Sequence, residues 1–216
     1  MSPPHARRWP ASLAVALVIV LQVVSPDQVV PSWWPALVTL EVLLLVPLVA
    51  ANPLRLRYDA PWHRMTGVVL VAVVLLAANA VRLAQLVVLL LEGGAMRADE
   101  LIGGGALIWL TNVVVTAVAL WELDQGGPFA RDPGSARDQT QPDLLFPQTA
   151  GAPGWNAAEW RPSFLDYLFV AFTAATAFSP TDTMPLSHRA KLLFVLAASV
   201  SLLTIAVVAA RAVNVL

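Results

Sequence analysis

Oxygen-bearing side chains are concentrated in one short segment near the C-terminus of this 216-residue chain. Hydroxyl groups and one carboxylate follow one another closely there, on Thr173, Thr176, Ser179, Thr181, Asp182 and Thr183. Oxygen ligands of this kind suit hard cations better than anions. These six residues are therefore the candidate ion-facing residues, with Asp182 as the charged mouth of the pathway. An equally compatible role for Asp182 is a turn cap over the residues that follow it.

Local signals place these oxygens around the end of a short helix. Ser163 and Asp166 form an S-x-x-D capping box directly after Pro162, which predicts that a helix begins here. Pro180 disfavours the helical conformation in the residue before it, so the helix should end after about 14 residues. Such a helix is too short to span a bilayer comfortably. A short helix, a polar return and then the apolar run Leu192–Ala210 together predict a re-entrant pore-type loop followed by a transmembrane helix.

The composition of the whole chain indicates a membrane protein. Apolar residues make up 58% and charged residues 12%, with a mean hydropathy of +0.70, whereas soluble domains carry about 25% charged residues. Five apolar runs approach or reach the length of a bilayer span: Trp9–Val24, Trp33–Ala51, Met65–Leu91, Gly103–Trp121 and Leu192–Ala210. The first run follows Arg7 and Arg8 as in a signal peptide, but no small-residue cleavage site follows it, so we expect a retained helix.

The predicted fold is an all-α, polytopic membrane protein with about five transmembrane helices and one short re-entrant helix. Three regions follow: a four-helix transmembrane region in 1–121, an extramembrane linker in 122–162, and the pore-loop-like module in 163–216. The linker contains six prolines, five glycines, six acidic residues and three arginines, which gives it a net charge of −3. Such a segment buries little apolar surface. We expect order in it only near Phe146, Trp155 and Trp160.

The same composition argues against several function classes. Thirteen basic residues against fourteen acidic ones leave a net charge of −1, so no basic surface is expected for nucleic acid. The chain has no cysteine, and its three histidines are scattered, so neither a metal site nor a cofactor is expected. No H-x-x-x-H or G-x-S-x-G motif is present, which argues against an enzyme.

Two ionisable residues are predicted near the middle of transmembrane helices. Glu41 lies in the second apolar run, and Arg82 lies in the third with Asn79 and Gln85 on the same helix face. A central charge costs about 2.5 to 3.5 kcal/mol on insertion scales, so each should have a partner or water. We expect an intramembrane charge pair, Glu41–Arg82, between neighbouring antiparallel helices. The pair either fixes the packing register or has a gating or proton-linked role.

The C-terminal segment resembles pore-loop proteins. Its helix, T-x-x-T, polar residues, Asp, Pro and long apolar helix are similar to the pore-helix, filter and inner-helix order of tetrameric potassium-channel-like proteins. The matching residues are Tyr167, Phe172, Thr173, Thr176, Asp182 and Pro185, followed by Leu192 to Ala210.

A closer resemblance is to a group of uncharacterised bacterial integral membrane proteins with the same channel-like C-terminal half. The residues that carry it are Asp166-Tyr167-Leu168-Phe169, Phe172-Thr173, Thr176-Ala177-Phe178, Asp182 and Ala212-Val213-Asn214. The two resemblances together cover about a quarter of the 216 residues. They imply a multi-pass inner-membrane protein that forms a homo-oligomer, such as a tetramer, in the lipid bilayer and takes monovalent cations.

The segment differs from potassium filters in its lack of glycine. Filters of the T-V-G-Y-G type use glycine to point successive carbonyls inward, yet residues 155–216 contain none. We therefore expect a weakly selective pathway lined by side-chain oxygens. The leading function is a cation channel or channel-like subunit. The alternative is a non-conducting membrane scaffold or accessory subunit that keeps the channel-like helices for packing only.

Three orientations in the membrane are compatible with the sequence. The arginines of the N-terminus and of the loop after the second run place both in the cytoplasm, and four helices then return the acidic linker to the same side. A potassium-channel-like loop, in contrast, enters from outside. Either the loop enters from the cytoplasm, or residues 163–179 cross fully as a sixth helix, or the N-terminus is external.

Overall fold

The protein is mostly helical. The computed structural model describes residues 9–25, 32–51, 67, 75–91, 97–131, 141–177, 179 and 182–215. Within these ranges the helices are α1 (Trp9–Val23), α2 (Trp34–Ala51), α3 (Leu76–Leu91), α4 (Ala98–Leu123), α5 (Phe164–Thr176) and α6 (His188–Val215). Helix accounts for 73% of the structure, so the predicted helical class is confirmed.

A very short strand pair, which the sequence did not predict, accompanies the helices. The strands are β1 (Leu144–Leu145) and β2 (Met184–Pro185), which pair antiparallel, with Leu145 opposite Met184. The backbone nitrogen of Leu186 extends the pairing by donating to the carbonyl of Asp143 over 2.8 Å. These contacts join the segment before α5 to the segment before α6.

Two of the helices are long and apolar enough to cross a membrane. The candidate spans are Asp99–Gly126, which includes most of α4, and His188–Arg211 in α6. The described parts of α1, α2, α3 and α5 are apolar but shorter. Two candidate spans give weak support for a membrane protein, and the expected number of about five spans stays a prediction.

The helices α4 and α6 begin earlier than their apolar runs predicted. α4 begins at Ala98 because Asp99 and Glu100 occupy its first turn, where carboxylates interact favourably with the helix dipole, and Glu100 accepts a hydrogen bond from the Arg97 backbone. α6 begins at His188 because the hydroxyl of Ser187 accepts a hydrogen bond from the backbone of Ala190. Polar residues at the end of a helix thus belong to the helix although they lie outside its apolar run.

α3 and α6 both run antiparallel to α4. Gly67, before α3, lies against the carboxylate of Glu122 near the end of α4, whereas Leu86 of α3 shares an apolar cluster with Leu101 near the start of α4. Arg189, at the start of α6, donates to the carbonyl of Leu123 over 3.1 Å. Further along α6, the Ala197 carbonyl accepts from Asn112 at 2.8 Å. We call the part of the bundle where α4 ends the Leu123 end.

The structure describes residues 122–131 and 141–162 of the predicted linker, which is more of it than the surroundings of Phe146, Trp155 and Trp160. The chain turns through Gln125, Gly126 and Gly127 with φ of 52°, 78° and 95°. A Cβ on Gly127 would lie 2.8 Å from the Glu122 carbonyl oxygen, so glycine is required there. Leu144 and Phe146 are then buried in the main apolar cluster. Residues 132–140 lie outside the described ranges.

Candidate functional site

α5 enters the bundle at the Leu123 end and stops about halfway along α4. In its first turn the hydroxyl of Tyr167 lies 2.6 Å from Oδ2 of Asp124, the residue after α4. At its last turn, Nε1 of Trp109 lies 3.5 Å from the carbonyl oxygen of Ala175. At 1.5 Å per residue, Trp109 lies about 21 Å along α4 from Leu123. α5, with 13 residues, therefore reaches the middle of a 26-residue helix and does not cross the bundle.

The chain returns from the end of α5 to the Leu123 end over residues 177–183. Residues 177–183 separate Thr176 from strand β2, and Phe178, Pro180 and Thr181 lie outside the described residues. An extended chain spans about 3.3 Å per residue, so seven residues suffice to retrace the length of α5. β2 then pairs with β1, and Asp143 beside β1 contacts Arg189 at the start of α6. We call α5 and residues 177–183 together the α5 hairpin.

The predicted helix boundaries of the α5 hairpin are confirmed. The capping box is present, and in it the Ser163 backbone nitrogen donates to Oδ2 of Asp166 over 2.7 Å. The Ser163 hydroxyl also lies 2.7 Å from that oxygen. The helix ends at Thr176, four residues before Pro180. These features depend on neighbours in the sequence, and for that reason the sequence predicted them.

The hairpin distributes the candidate ion-facing residues between two depths. Thr173, which is half-buried, and Thr176, which is exposed, lie on the last turn of α5 near the middle of α4. Ser179 and Asp182 are exposed, and Thr183 is 3% exposed beside β2. Thr181 lies outside the described residues. The hairpin of one chain thus has hydroxyl groups at mid-depth and a carboxylate at the Leu123 end.

The two threonines of α5 donate their hydroxyl protons to the helix itself. Oγ1 of Thr173 lies 2.9 Å from the Val170 carbonyl oxygen, and Oγ1 of Thr176 lies 2.8 Å from that of Phe172. A hydroxyl whose proton is engaged keeps its lone pairs for other partners. Thr176 therefore offers its surroundings an acceptor, which suits a cation and not an anion.

A cavity of about 360 Å³ lies at the mouth of the α5 hairpin. It is lined by Phe146, Pro147, Gln148, Leu165, Asp166, Phe169, Val170, Asp182 and Thr183. Two carboxylates, Asp166 and Asp182, thus share its wall. The sequence indicated Asp166 as a helix cap and as part of the resemblance, but it did not indicate that Asp166 lines a cavity together with Asp182. Within the described ranges, no group of three or more histidine or acidic side chains could hold a metal ion.

Two aspartates join the segment after α4 to the α5 hairpin and to α6. Asp124, 1% exposed, accepts hydrogen bonds from Tyr167 and from the backbone nitrogen of Asp143 at 2.8 Å. Asp143 accepts two hydrogen bonds from the Arg189 guanidinium, at 2.6 and 2.5 Å. Arg131 donates to the carbonyls of Trp121 and Asp124, and its guanidinium lies 5.2 Å from the Tyr167 ring centre. We call these contacts the aspartate latch.

The latch shifts the proton affinity of Asp143. Burial alone raises the pKa of this carboxyl, but hydrogen bonds from the Arg189 and Ser187 side chains, together with the Arg189 charge, outweigh it. The pKa of Asp143 is therefore held below its ordinary value, and the carboxylate form persists into acid. No local pattern in the sequence indicated this contact, because 46 residues separate its two partners.

The two central charges lie in one buried polar cluster. Glu41 and Arg82 are both 0% exposed and attract each other electrostatically. Their hydrogen bonds among the described residues go to the end of α1 and not to each other. Nε2 of Gln22 donates to Oε1 of Glu41 over 3.1 Å. Arg82 donates from Nη2 to the hydroxyl of Ser25, and its guanidinium carbon lies 5.8 Å from the Trp34 ring centre.

No protein-family model, curated protein or solved structure matches the chain. The assignment of function therefore depends on the geometry of the α5 hairpin and on the chemistry of its side chains.

Proposed function

We propose that this protein is a multi-pass inner-membrane protein in which the α5 hairpin is a re-entrant loop that lines a cation pathway. The observation that carries the proposal is the depth of α5, which begins beside Asp124 and ends beside Trp109, midway along a helix long enough to span a membrane. Backbone that leaves a helix at bilayer depth is stable only where it faces protein or water. The return segment would therefore border an aqueous path.

The electrostatics of the hairpin favour cations in such a path. The C-terminus of α5 directs the negative end of its helix dipole, equivalent to about half an elementary charge, at the mid-depth region. The oxygen of Thr176 there is an acceptor, because its proton is donated to Phe172. Asp182 is an exposed carboxylate at the mouth. Because residues 155–216 lack glycine, these side-chain oxygens would replace a carbonyl cage, and selectivity among monovalent cations would be weak.

The pathway would need several copies of the chain, since one hairpin cannot enclose a pore. Large apolar side chains remain exposed along α5 and α6, including Phe169 at 56%, Phe172 at 48% and Val195 at 61%. In a homotetramer a part of this surface would contact neighbouring copies, and the remainder would contact lipid. The orientation with residues 163–179 as a full sixth span is disfavoured, because α5 has only 13 residues. The hairpin would then enter from the side on which the acidic segment lies.

A second candidate function is a non-conducting scaffold or accessory subunit. The observation that favours it is the engagement of the Thr173 and Thr176 hydroxyls by carbonyls of their own helix, which a helix used only for packing would also show. A scaffold would be monomeric or dimeric and would leave ion permeability unchanged. Homo-oligomerisation together with cation flux would distinguish the channel from the scaffold.

Flux measurements on reconstituted protein test the proposal. Liposomes that contain the native chain should release monovalent cations faster than empty liposomes, and Asp182→Asn should reduce the rate several-fold because the mouth loses its charge. Glu159→Gln is the matched control, since Glu159 is an exposed carboxylate of the segment before α5 and does not line the mouth cavity. Flux equal to that of empty liposomes, from protein that is folded and oligomeric, would exclude conduction.

A further inference from the structure

A group of buried polar atoms between α1, α2 and α3 is incompletely hydrogen-bonded. Its residues are Gln22, Trp34, Glu41, Asn79 and Arg82, which we call the polar core site. Each is at least nine-tenths buried, with exposures between 0% and 5%. The atoms without a hydrogen-bond partner among the described residues are Oε1 of Gln22, Nε1 of Trp34, Oε2 of Glu41, Oδ1 of Asn79, and Nε and Nη1 of Arg82.

The contacts already made hold this group together. Gln22 binds one oxygen of Glu41, Arg82 binds Ser25 beside Gln22, and the Arg82 guanidinium lies over the ring of Trp34. Asn79 lies one helical turn before Arg82 on α3. The unpaired atoms therefore belong to the two charges and to the residues around them. The two charges lie on α2 and α3 and do not hydrogen-bond directly to each other.

The unpaired atoms specify the chemistry of a ligand. Three are N–H donors, on Trp34 and Arg82, and three are oxygen acceptors, on Gln22, Glu41 and Asn79. The charges of Glu41 and Arg82 compensate each other, so neither a free anion nor a free cation is favoured. A ligand that both donates and accepts hydrogen bonds and carries no charge matches the group, and water is the simplest such ligand. Leaving these groups unpaired in an apolar bundle would cost the desolvation free energy of each one.

We propose that the polar core site binds internal water and that Glu41 exchanges a proton through it. A hydronium ion that reaches the site from bulk solvent transfers its proton to Oε2 of Glu41, which leaves a carboxylic acid and a neutral water. On release a water takes the proton back and becomes hydronium, which carries it to bulk solvent. Arg82 is the ionisable side chain that acts on Glu41 among the described residues, while α1 contributes the neutral Gln22 and Ser25. The site shares no residue with the α5 hairpin and does not depend on cation conduction.

Hydroxyl-radical footprinting of the native protein tests the hydration. X-ray irradiation of bound water oxidises side chains next to it, even where bulk solvent is excluded. Trp34 and Trp121 form a matched pair, because they are 5% and 3% exposed while Trp121 packs in the main apolar cluster. We expect Trp34 to be oxidised several-fold faster than Trp121. Equal, slow oxidation of the two tryptophans would overturn the proposal.

Infrared spectroscopy tests the proton exchange independently. A pH titration should give a protonated-carboxyl band that shifts in heavy water, that is lost in Glu41→Gln and that persists in Glu159→Gln. A band that does not change with pH, or that remains in Glu41→Gln, would contradict the assignment to Glu41. Should Glu41→Gln fail to fold, Glu41→Asp is the second variant: the pH-dependent band should change in frequency, whereas an unchanged band would assign it to another buried carboxyl, such as that of Asp124.

Discussion

The hydroxyl of Tyr167 donates to Oδ2 of Asp124 over 2.6 Å, and this contact fixes the depth at which α5 begins relative to the end of α4. Tyr167 is 0% exposed and Asp124 is 1% exposed. Oδ1 of Asp124 accepts from the backbone of Asp143, so a single carboxylate holds both the hairpin and the segment that covers its mouth. Because α5 has a fixed length, its starting depth also determines where Thr176 lies.

Tyr167→Phe should destabilise the protein by about 1–3 kcal/mol, because one oxygen of Asp124 is then left buried without its partner. Chemical unfolding in detergent micelles measures the loss. The matched variants are Asp124→Asn and the double variant, which together form a double-mutant cycle. Strictly additive effects would show that the two side chains do not interact.

Asp143→Asn should loosen the segment that contains β1. The bidentate contact with Arg189 is charge-assisted, but the Arg189 side chain is 49% exposed, so we expect a loss at the low end of about 1–3 kcal/mol. Limited proteolysis between residues 141 and 163 should become several-fold faster. Glu159→Gln lies in the same segment without a latch contact and should be cleaved at the native rate. If Asp143→Asn is cleaved at the native rate, the aspartate latch is not what orders this segment.

The latch should also weaken in acid. The pKa of Asp143 is lower in the folded protein than in the unfolded chain, so its stabilising effect is complete above the unfolded pKa of about 3.9 and is lost as the pH falls through the folded value. Trp155 and Trp160 pack edge to face in this segment. Their fluorescence should therefore change when the segment detaches from the bundle as the pH falls below the unfolded pKa. In Asp143→Asn this acid transition should disappear. A transition of equal size in that variant would assign it to another group.

The sequence predicted the elements whose causes are local. The capping box at Ser163 and the proline at 180 set the bounds of α5 within two residues, and the apolar runs indicated the long helices. The contacts that order residues 141–163 could not be predicted in this way. They depend on Asp124 and Asp143, whose partners lie 18 to 46 residues away, whereas composition records only that the segment is polar and rich in proline and glycine.

The same distinction applies to the candidate site: its features with local causes were predictable, and those that depend on distant contacts were not. The positions of Thr173 and Thr176 on the last turn of α5 follow from the helix bounds. The shared wall of Asp166 and Asp182 depends instead on the return of the chain to the Leu123 end, which requires the pairing of β1 with β2. The contacts of Glu41 and Arg82 with Gln22 and Ser25 at the end of α1 could not be predicted either. The positions of charges on helix faces indicate possible charge pairs, but they do not indicate which neutral side chains of a third helix lie nearby.

Gly105→Ala should separate α6 from α4. A Cβ at this position would lie 2.5 Å from Cγ2 of Val208, and overpacking of this kind costs about 1–3 kcal/mol. Gly103→Ala is the matched control, because no described atom lies within 4 Å of its Cβ and alanine favours helix by about 0.5–1 kcal/mol. Adding Val208→Ala should rescue the first variant. Similar unfolding curves for the two single variants would argue against close packing here.

Thr176→Cys should react with a membrane-impermeant thiol reagent if the end of α5 borders water. The native chain has no cysteine, so the single introduced thiol reacts without background. Leu196→Cys is the matched control: Leu196 is 46% exposed on α6, at a position that would contact lipid or a neighbouring copy. The reagent needs the thiolate, which forms in water and not in hydrocarbon. We therefore expect the first variant to be labelled at least ten-fold faster than the second in liposomes, and to be protected by permeant monovalent cations at high concentration. Equal, slow labelling of both thiols would mean that the α5 hairpin is packed against protein or lipid at mid-depth, as the scaffold function requires.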